Sequence, residues 1–178
     1  MQIHTERLLL REFVIGDWKA VYAYQSDPRY LQLYEWETRT ESDVRTFVQR
    51  FVNWQIERPR AKYQLAVTLN GQLIGNCGVR FENVAHRVAE MGYELAPDFW
   101  CNGYTTEAAR AMLNLGFSEL KAHRIQAWCI AENTASAHVL DKLGFKLEGR
   151  VRDQRWFKGR WWDALVYGML EDEWRAHS

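Results

Sequence analysis

The chain has 178 residues, 47% of them hydrophobic and 14% aromatic, and its 23 basic and 23 acidic side chains cancel. That length and composition predict one domain over residues 1–178 with a sizeable core, and exclude a disordered chain. The charge balance argues against a nucleic acid or an anionic membrane as main partner and favours a small or locally charged substrate.

The opening stretch MQIHTERLLLREF lacks a signal-peptide core, and a first strand is predicted over about Arg7 to Phe13. Asp17 is expected to cap a helix ending near Gln25. An irregular loop with aromatics follows from Asp27 to Asp43, then a helix from Glu41 to Arg58. Two alternating runs flank Asn70-Gly71, the signature of a hairpin. A third strand is predicted from His86 to Leu95, then a helix from Thr106 to Phe117 with Ala108, Ala109, Met112, Leu113, Gly116 and Phe117 on its buried face. A strand (Arg124 to Ile130), a helix (Thr134 to Leu143) closed by Gly144, and a final hairpin complete the chain. No stretch reaches the roughly 18 apolar residues of a membrane span. Cys77, Cys101 and Cys129 are widely spaced, without a C-x-x-C pair, so no disulfide framework or zinc site is expected and the cytoplasm is the expected compartment.

Three places carry candidate chemistry. At PDFWCNGYTTEAARAML a loop with Gly103 runs into a helix, where Cys101, Asn102, Gly103, Tyr104, Thr105 and Thr106 can aim backbone N–H groups at one anion; the plainer reading is an ordinary turn. Asn133 stands at a helix N-cap, with Ser136 and Leu140 three and seven positions on, on the same side. Glu90 interrupts an apolar strand and Glu94 shares its face, which fits a general base or two solvent-facing acids. His4, His86, His123, His138 and His177 have no metal-ligand spacing. Lys146, Arg150, Arg152, Arg155, Lys158 and Arg160 alternate with acids, as on a solvated hairpin. The acids Glu35, Glu37, Glu41 and Asp43 would attract a cationic substrate.

The runs AEMGYELAPDFWCNGYTTEAARAML and AENTASAHVLDKLGFKLEG together resemble the acyl-CoA-binding core of the GNAT superfamily of N-acetyltransferases. The likeness is strongest to the branch of ribosomal-protein N-terminal alanine and serine acetyltransferases and spermidine acetyltransferase. It implies an α/β fold, a mixed, mostly antiparallel sheet of six or seven strands flanked by about four helices. It implies acetyl-CoA as co-substrate, with no metal. Tyr93, Glu94 and Leu95 would then pair with the pantetheine arm, Cys101 to Thr106 would hold the pyrophosphate, and Asn133 would contact the cofactor. Glu90 would be the base, and the Leu95 N–H would stabilise the oxygen that gains charge. The family glycine pattern is altered at Trp100 and Thr105, and the tyrosine that many members use to protonate the thiolate is Leu140, which leaves Ser136 or water. Direct transfer needs no covalent enzyme nucleophile, so Cys101 is not recruited. The expected acceptor is a protein N-terminal α-amine, set beside Tyr34, Trp36 and Tyr104; the alternatives are a polyamine-like amine or a CoA-binding module with little turnover. The Trp-rich WFKGRWW segment is a candidate homodimer contact.

Overall fold

The computed structural model describes residues 1–176, so His177 lies outside the described residues. In chain order it comprises β1 (Gln2–His4), β2 (Leu9–Glu12), α1 (Trp18–Gln25), α2 (Pro28–Leu31), α3 (Glu41–Trp54), β3 (Lys62–Leu69), β4 (Gln72–Asn83) and β5 (Val88–Leu95). It continues through α4 (Tyr104–Asn114), β6 (Arg124–Ile130), α5 (Thr134–Leu143), β7 (Lys146–Phe157), β8 (Arg160–Leu170) and α6 (Glu171–Ala176). The strands form one mixed sheet in the order β1-β2-β3-β4-β5-β6-β8-β7.

Local chemistry accounts for the boundaries. Asn70 and Gly71 both adopt positive φ (49° and 82°), as the tight hairpin between β3 and β4 requires. Thr40 and Asp43 form a reciprocal capping box at the start of α3. Asn133 caps α5 by accepting from the Ser136 N–H, and Gly144 ends it at φ 90°.

Alternation along the strands divides the apolar side chains between two cores. Leu65, Val67, Val79, Met91 and Ile125 meet α4 and α5 through Met112, Leu113 and Leu140. Ala66 on the opposite face joins Phe13, Val21, Val44, Val48 and Phe51 from the α1 and α3 layer. Each helix is therefore held by burial of one stripe rather than by its own propensity.

Several boundaries differ from the sequence reading. The sheet has eight strands rather than six or seven; the extra one is β1, three residues that no periodicity can mark. The first long strand contracts to β2, and the helix expected to reach Arg58 ends at Trp54. The aromatic loop contains the one-turn helix α2, started by Asp27 and Pro28. The chain also ends in α6, giving six helices among the described residues. Helix α4 begins at Tyr104, earlier than expected, and gives way at Leu115 to a π-helical turn through Glu119. Asp17 stands at the α1 N-cap, but its carboxylate is bonded by Arg11 and the Val14 N–H.

Leu140 is 1% exposed at the centre of the α4–α5 core. Leu140→Ala is expected to lower unfolding free energy by about 2–5 kcal/mol in denaturant titration, through lost burial and the cavity left behind.

Candidate active site

Strands β5 and β6 are parallel neighbours for only three residue pairs, Val88 with Arg124 through Glu90 with Gln126. Beyond that point β5 stays paired to β4 as far as Leu95 and β6 stays paired to β8 as far as Ile130, so the two half-sheets diverge. The Ala96 N–H donates to Ile74 at the far side of β4. Alternation therefore turns the backbone groups of Met91, Tyr93 and Leu95 into the gap, and those of Glu94 toward β4. Polar backbone lining such a gap must find a partner, and a ligand with amides of its own fits there. The indole of Trp100 takes the Leu95 carbonyl at 2.8 Å, leaving the Leu95 N–H facing the gap.

The loop after β5 is an anion nest. Cys101 and Gly103 hold positive φ (61° and 79°), and no backbone N–H from Cys101 to Thr106 has an acceptor among the described residues. Six donors in sequence, at the start of the eleven-residue α4, suit a pyrophosphate. The loop is tied down from β2's approach: Arg7 donates to the Asn102 carbonyl at 3.0 Å and lies over the Tyr104 ring. Glu107 receives Thr5 Oγ1 at 2.6 Å, the Arg7 N–H at 2.8 Å and Arg7 Nε at 2.7 Å.

On the α5 side of the gap, Tyr93 and Ser136 meet. The Tyr93 hydroxyl lies 2.9 Å from Ser136 Oγ and 3.1 Å from its carbonyl. Burial pushes both the Tyr93 hydroxyl and the Cys129 thiol above their ordinary pKa ranges, so both stay protonated near neutrality.

On the opposite face a cavity of about 490 Å³ runs from Tyr34, Trp36, Phe47 and Trp54 to the gap, where Tyr93, Cys129 and Asn133 line it. A chain of polar contacts crosses its floor. Glu90 pairs with Arg80 at 3.0 Å; Arg80 donates to Gln64 at 2.9 Å, and Gln64 to Asn76 at 2.7 Å. Glu94 then accepts from Asn76 at 3.1 Å, Tyr24 at 3.1 Å and Gln25 at 2.9 Å. Burial and the Glu94 charge raise the Tyr24 pKa, which keeps that hydroxyl a neutral donor. The floor is clear because Gly78 and Gly92 face each other across β4 and β5. A Cβ on Gly92 would stand 2.7 Å from Arg80 Nη2.

Residues 7–146 match the family model described as an acetyltransferase (GNAT) domain. The chain belongs to the GNAT acetyltransferase family. It is similar to YnaD of Bacillus subtilis (strain 168), an uncharacterized N-acetyltransferase, at 36% identity over 174 residues, which cover 98% of this chain and 99% of that one. The GNAT acetyltransferase structure from Bacillus anthracis superposes at TM-score 0.83 with 35% identity, covering 97% and 99% of the two chains. RimL, a ribosomal L7/L12 α-N-protein acetyltransferase solved with coenzyme A, shares the fold at TM-score 0.85 and 19% identity, over 97% and 99%. As a GNAT member this chain is an acetyl-CoA-dependent N-acetyltransferase.

Most residues singled out in the sequence converge on the gap and the cavity. Glu90 and Glu94 share the cavity floor, Tyr34 and Trp36 stack at 5.0 Å on its wall, and Asn133 and Ser136 stand across from Tyr93. Glu94 departs from its expected place, with its backbone toward β4 and its carboxylate in the cavity. Tyr104 is not among the residues lining the cavity but packs by Phe99 under Arg7. The acidic loop is only partly neutralised: Glu35 pairs with Arg155, Glu41 with Arg45, and Asp43 caps α3, while Glu37 is exposed with no ion pair among the described residues. The basic hairpin is likewise neutralised in part, Arg150 by Asp163, Arg160 by Glu132 and Lys146 by Glu173. No cluster of metal-binding side chains exists among the described residues, and no helix there is long and apolar enough to cross a membrane. Sequence reasoning missed Arg7, Gln64, Asn76 and Arg80. For Gln64 and Asn76 a signal existed: polar residues inside the apolar runs KYQLAVTL and LIGNCGV.

Burial raises the Glu107 pKa, but the bonds from Thr5 and Arg7 outweigh it and hold the carboxyl below its ordinary 4.5. Its contribution to stability is therefore present above that value and disappears as pH falls through the lowered folded value. In thermal melts, the stability gap between wild type and Glu107→Gln is expected to be full near neutrality and to close as pH drops below 4.5.

Proposed function

We propose that this GNAT enzyme transfers the acetyl group of acetyl-CoA to a protein N-terminal α-amine by direct attack in a ternary complex. One observation carries the reading: the aromatic cavity on the α1–α3 face is continuous with the gap between β5 and β6, so an amine entering from one face meets a thioester lying in the gap. The mouth includes exposed Glu35 and Trp128, leaving room for a chain to pass outward.

Bound acetyl-CoA supplies an activated acyl group. The loop from Cys101 to Thr106 grips its pyrophosphate through backbone N–H groups, so Thr105 in place of a small residue leaves the grip intact. The gap-facing groups of Tyr93 pair with the pantetheine arm, and the Asn133 side-chain amide, whose oxygen is spent on the α5 cap, has its N–H₂ left for the same arm. A protonated amine has no lone pair to attack with. Glu90, paired with Arg80 at the cavity floor, removes the proton directly or through water. The Leu95 N–H stabilises the oxygen on which charge develops. Ser136, fixed by Tyr93, donates toward the departing sulfur in place of the hydroxyl absent at Leu140.

The acids of the cavity are already bonded, which disfavours a polyamine: such a ligand needs carboxylates free to receive several cations.

Thiol release from acetyl-CoA is expected with N-terminal peptides and to be weak with spermidine. Glu90→Gln is expected to lower kcat/KM roughly 100-fold or more while calorimetry shows coenzyme A still bound. Wild-type turnover by that variant overturns Glu90 as base; no release from any amine overturns the acceptor reading. In Gly92→Ala the added Cβ displaces Arg80 from Glu90, and turnover is expected to fall with little change in coenzyme A affinity.

A further inference from the structure

The cavity has a surplus of hydrogen-bond donors. Its three carboxylates are satisfied: Glu35 by Arg155, Glu90 by Arg80, and Glu94 by three neutral donors. Three donors on its lining are not. Trp36 Nε1 and Arg155 Nε are buried with no acceptor. The guanidinium of Arg50, an exposed residue that also lines the cavity, makes no hydrogen bond or ion pair among the described residues. Arg50 is also held in place: its guanidinium carbon lies 5.2, 5.6 and 5.5 Å from the ring centres of Phe47, Phe51 and Trp54. Aromatic faces fix its position but cannot satisfy its N–H groups.

Donors left without acceptors in a ligand cavity call for acceptor atoms on the ligand. A planar guanidinium offers two parallel N–H groups, the match for a carboxylate or phosphate. The charges around Arg50 agree. Partial desolvation and the neighbouring Arg80 and Arg39 disfavour its cation, against the pull of Glu94, so an anion beside it would be favoured.

We propose that the acceptor is a zwitterion: while its amine is presented to Glu90, the base of the proposed transfer, a carboxylate or phosphate on the same molecule is bound by Arg50 at the edge of the cavity. This rests on the acetyl-transfer reading and sharpens it. Arg50 becomes the residue that sets specificity, excluding purely cationic amines and admitting N-terminal peptides with an acidic residue near the amine, or free amino acids.

Acceptors matched in shape and differing in one charge test it. The first pair is a hexapeptide with Asp at its second position against the same peptide with Asn; the second is phenylalanine against phenylalaninamide. Thiol release is followed for each with wild type, Arg50→Met and Arg50→Lys. The wild type is expected to show a KM roughly 10- to 100-fold lower for the acidic member of at least one pair, the worth of a charge-assisted hydrogen bond. Arg50→Met is expected to raise that KM to the level of the neutral member, and Arg50→Lys to restore part of the difference as a point charge. Preference in the peptide pair assigns the anion to a protein N-terminus; preference in the amino-acid pair assigns it to a small zwitterion. Equal KM values in both pairs, or a preference that survives Arg50→Met in protein with native circular dichroism, overturns the inference. Release that ignores the carboxylate leaves acetyl transfer standing, whereas no release from any acceptor removes both.

Discussion

The parting of β5 from β6 is the constraint on which the rest of the molecule depends. Each strand has a committed partner on its outer side, β4 for one and β8 for the other, and these ladders outlast the short parallel ladder between them. Two half-sheets held together at one end must open at the other, because sheet twist carries them apart. The open end leaves unpaired backbone inside the fold, where it is costly unless something binds. A fold that accepts this cost has in effect reserved the space for an extended ligand.

Everything else in the site is arranged around that opening. The nest from Cys101 to Thr106 lies just past the end of β5, and the start of α5 lies just past the end of β6, so both faces of the gap end in exposed helix N-termini. Alternation along β5 then separates the two halves of the chemistry. Met91, Tyr93 and Leu95 turn their side chains to the α4–α5 core, while Glu90, Gly92 and Glu94 face the aromatic cavity. The paired glycines Gly78 and Gly92 let Gln64 and Arg80 lie across the floor, linking Glu90 to Glu94 through bonded neighbours. A network of this kind costs little only when every member is satisfied, and along the floor each one is.

Departures from the family pattern have local physical accounts. Trp100 covers the Leu95 carbonyl, which leaves one fewer backbone acceptor in the gap and steadies the turn into the nest. Leu140 packs into the core on α5 one turn beyond Ser136. A hydroxyl pair at the gap comes from two elements, Tyr93 on β5 and Ser136 on α5, a pairing no linear motif contains.

The sequence by itself determined the elements with strong local signals: the hairpin at Asn70-Gly71, the strand Arg124–Ile130, the helix capped by Asn133 and Gly144, and the terminal hairpin all fall where periodicity and turn chemistry put them. It also marked Glu90, Asn133, Ser136 and the loop at Gly103, because each breaks the local pattern or sits at a helix start. Short elements escaped, since three or four residues in β1 and α2 hold too little periodicity to register. What only the tertiary structure decided is which polar groups meet. Glu35 was an acid in an acidic loop until Arg155, 120 positions away, neutralised it; Glu94 was a strand residue until Tyr24, Gln25 and Asn76 closed around it. Arg50 was one arginine on an amphipathic helix until its neighbours proved to be rings and other cations. Local sequence encodes backbone preference and burial, whereas the balance of charge in a cavity is a property of side chains brought together from strands and helices distant in the chain.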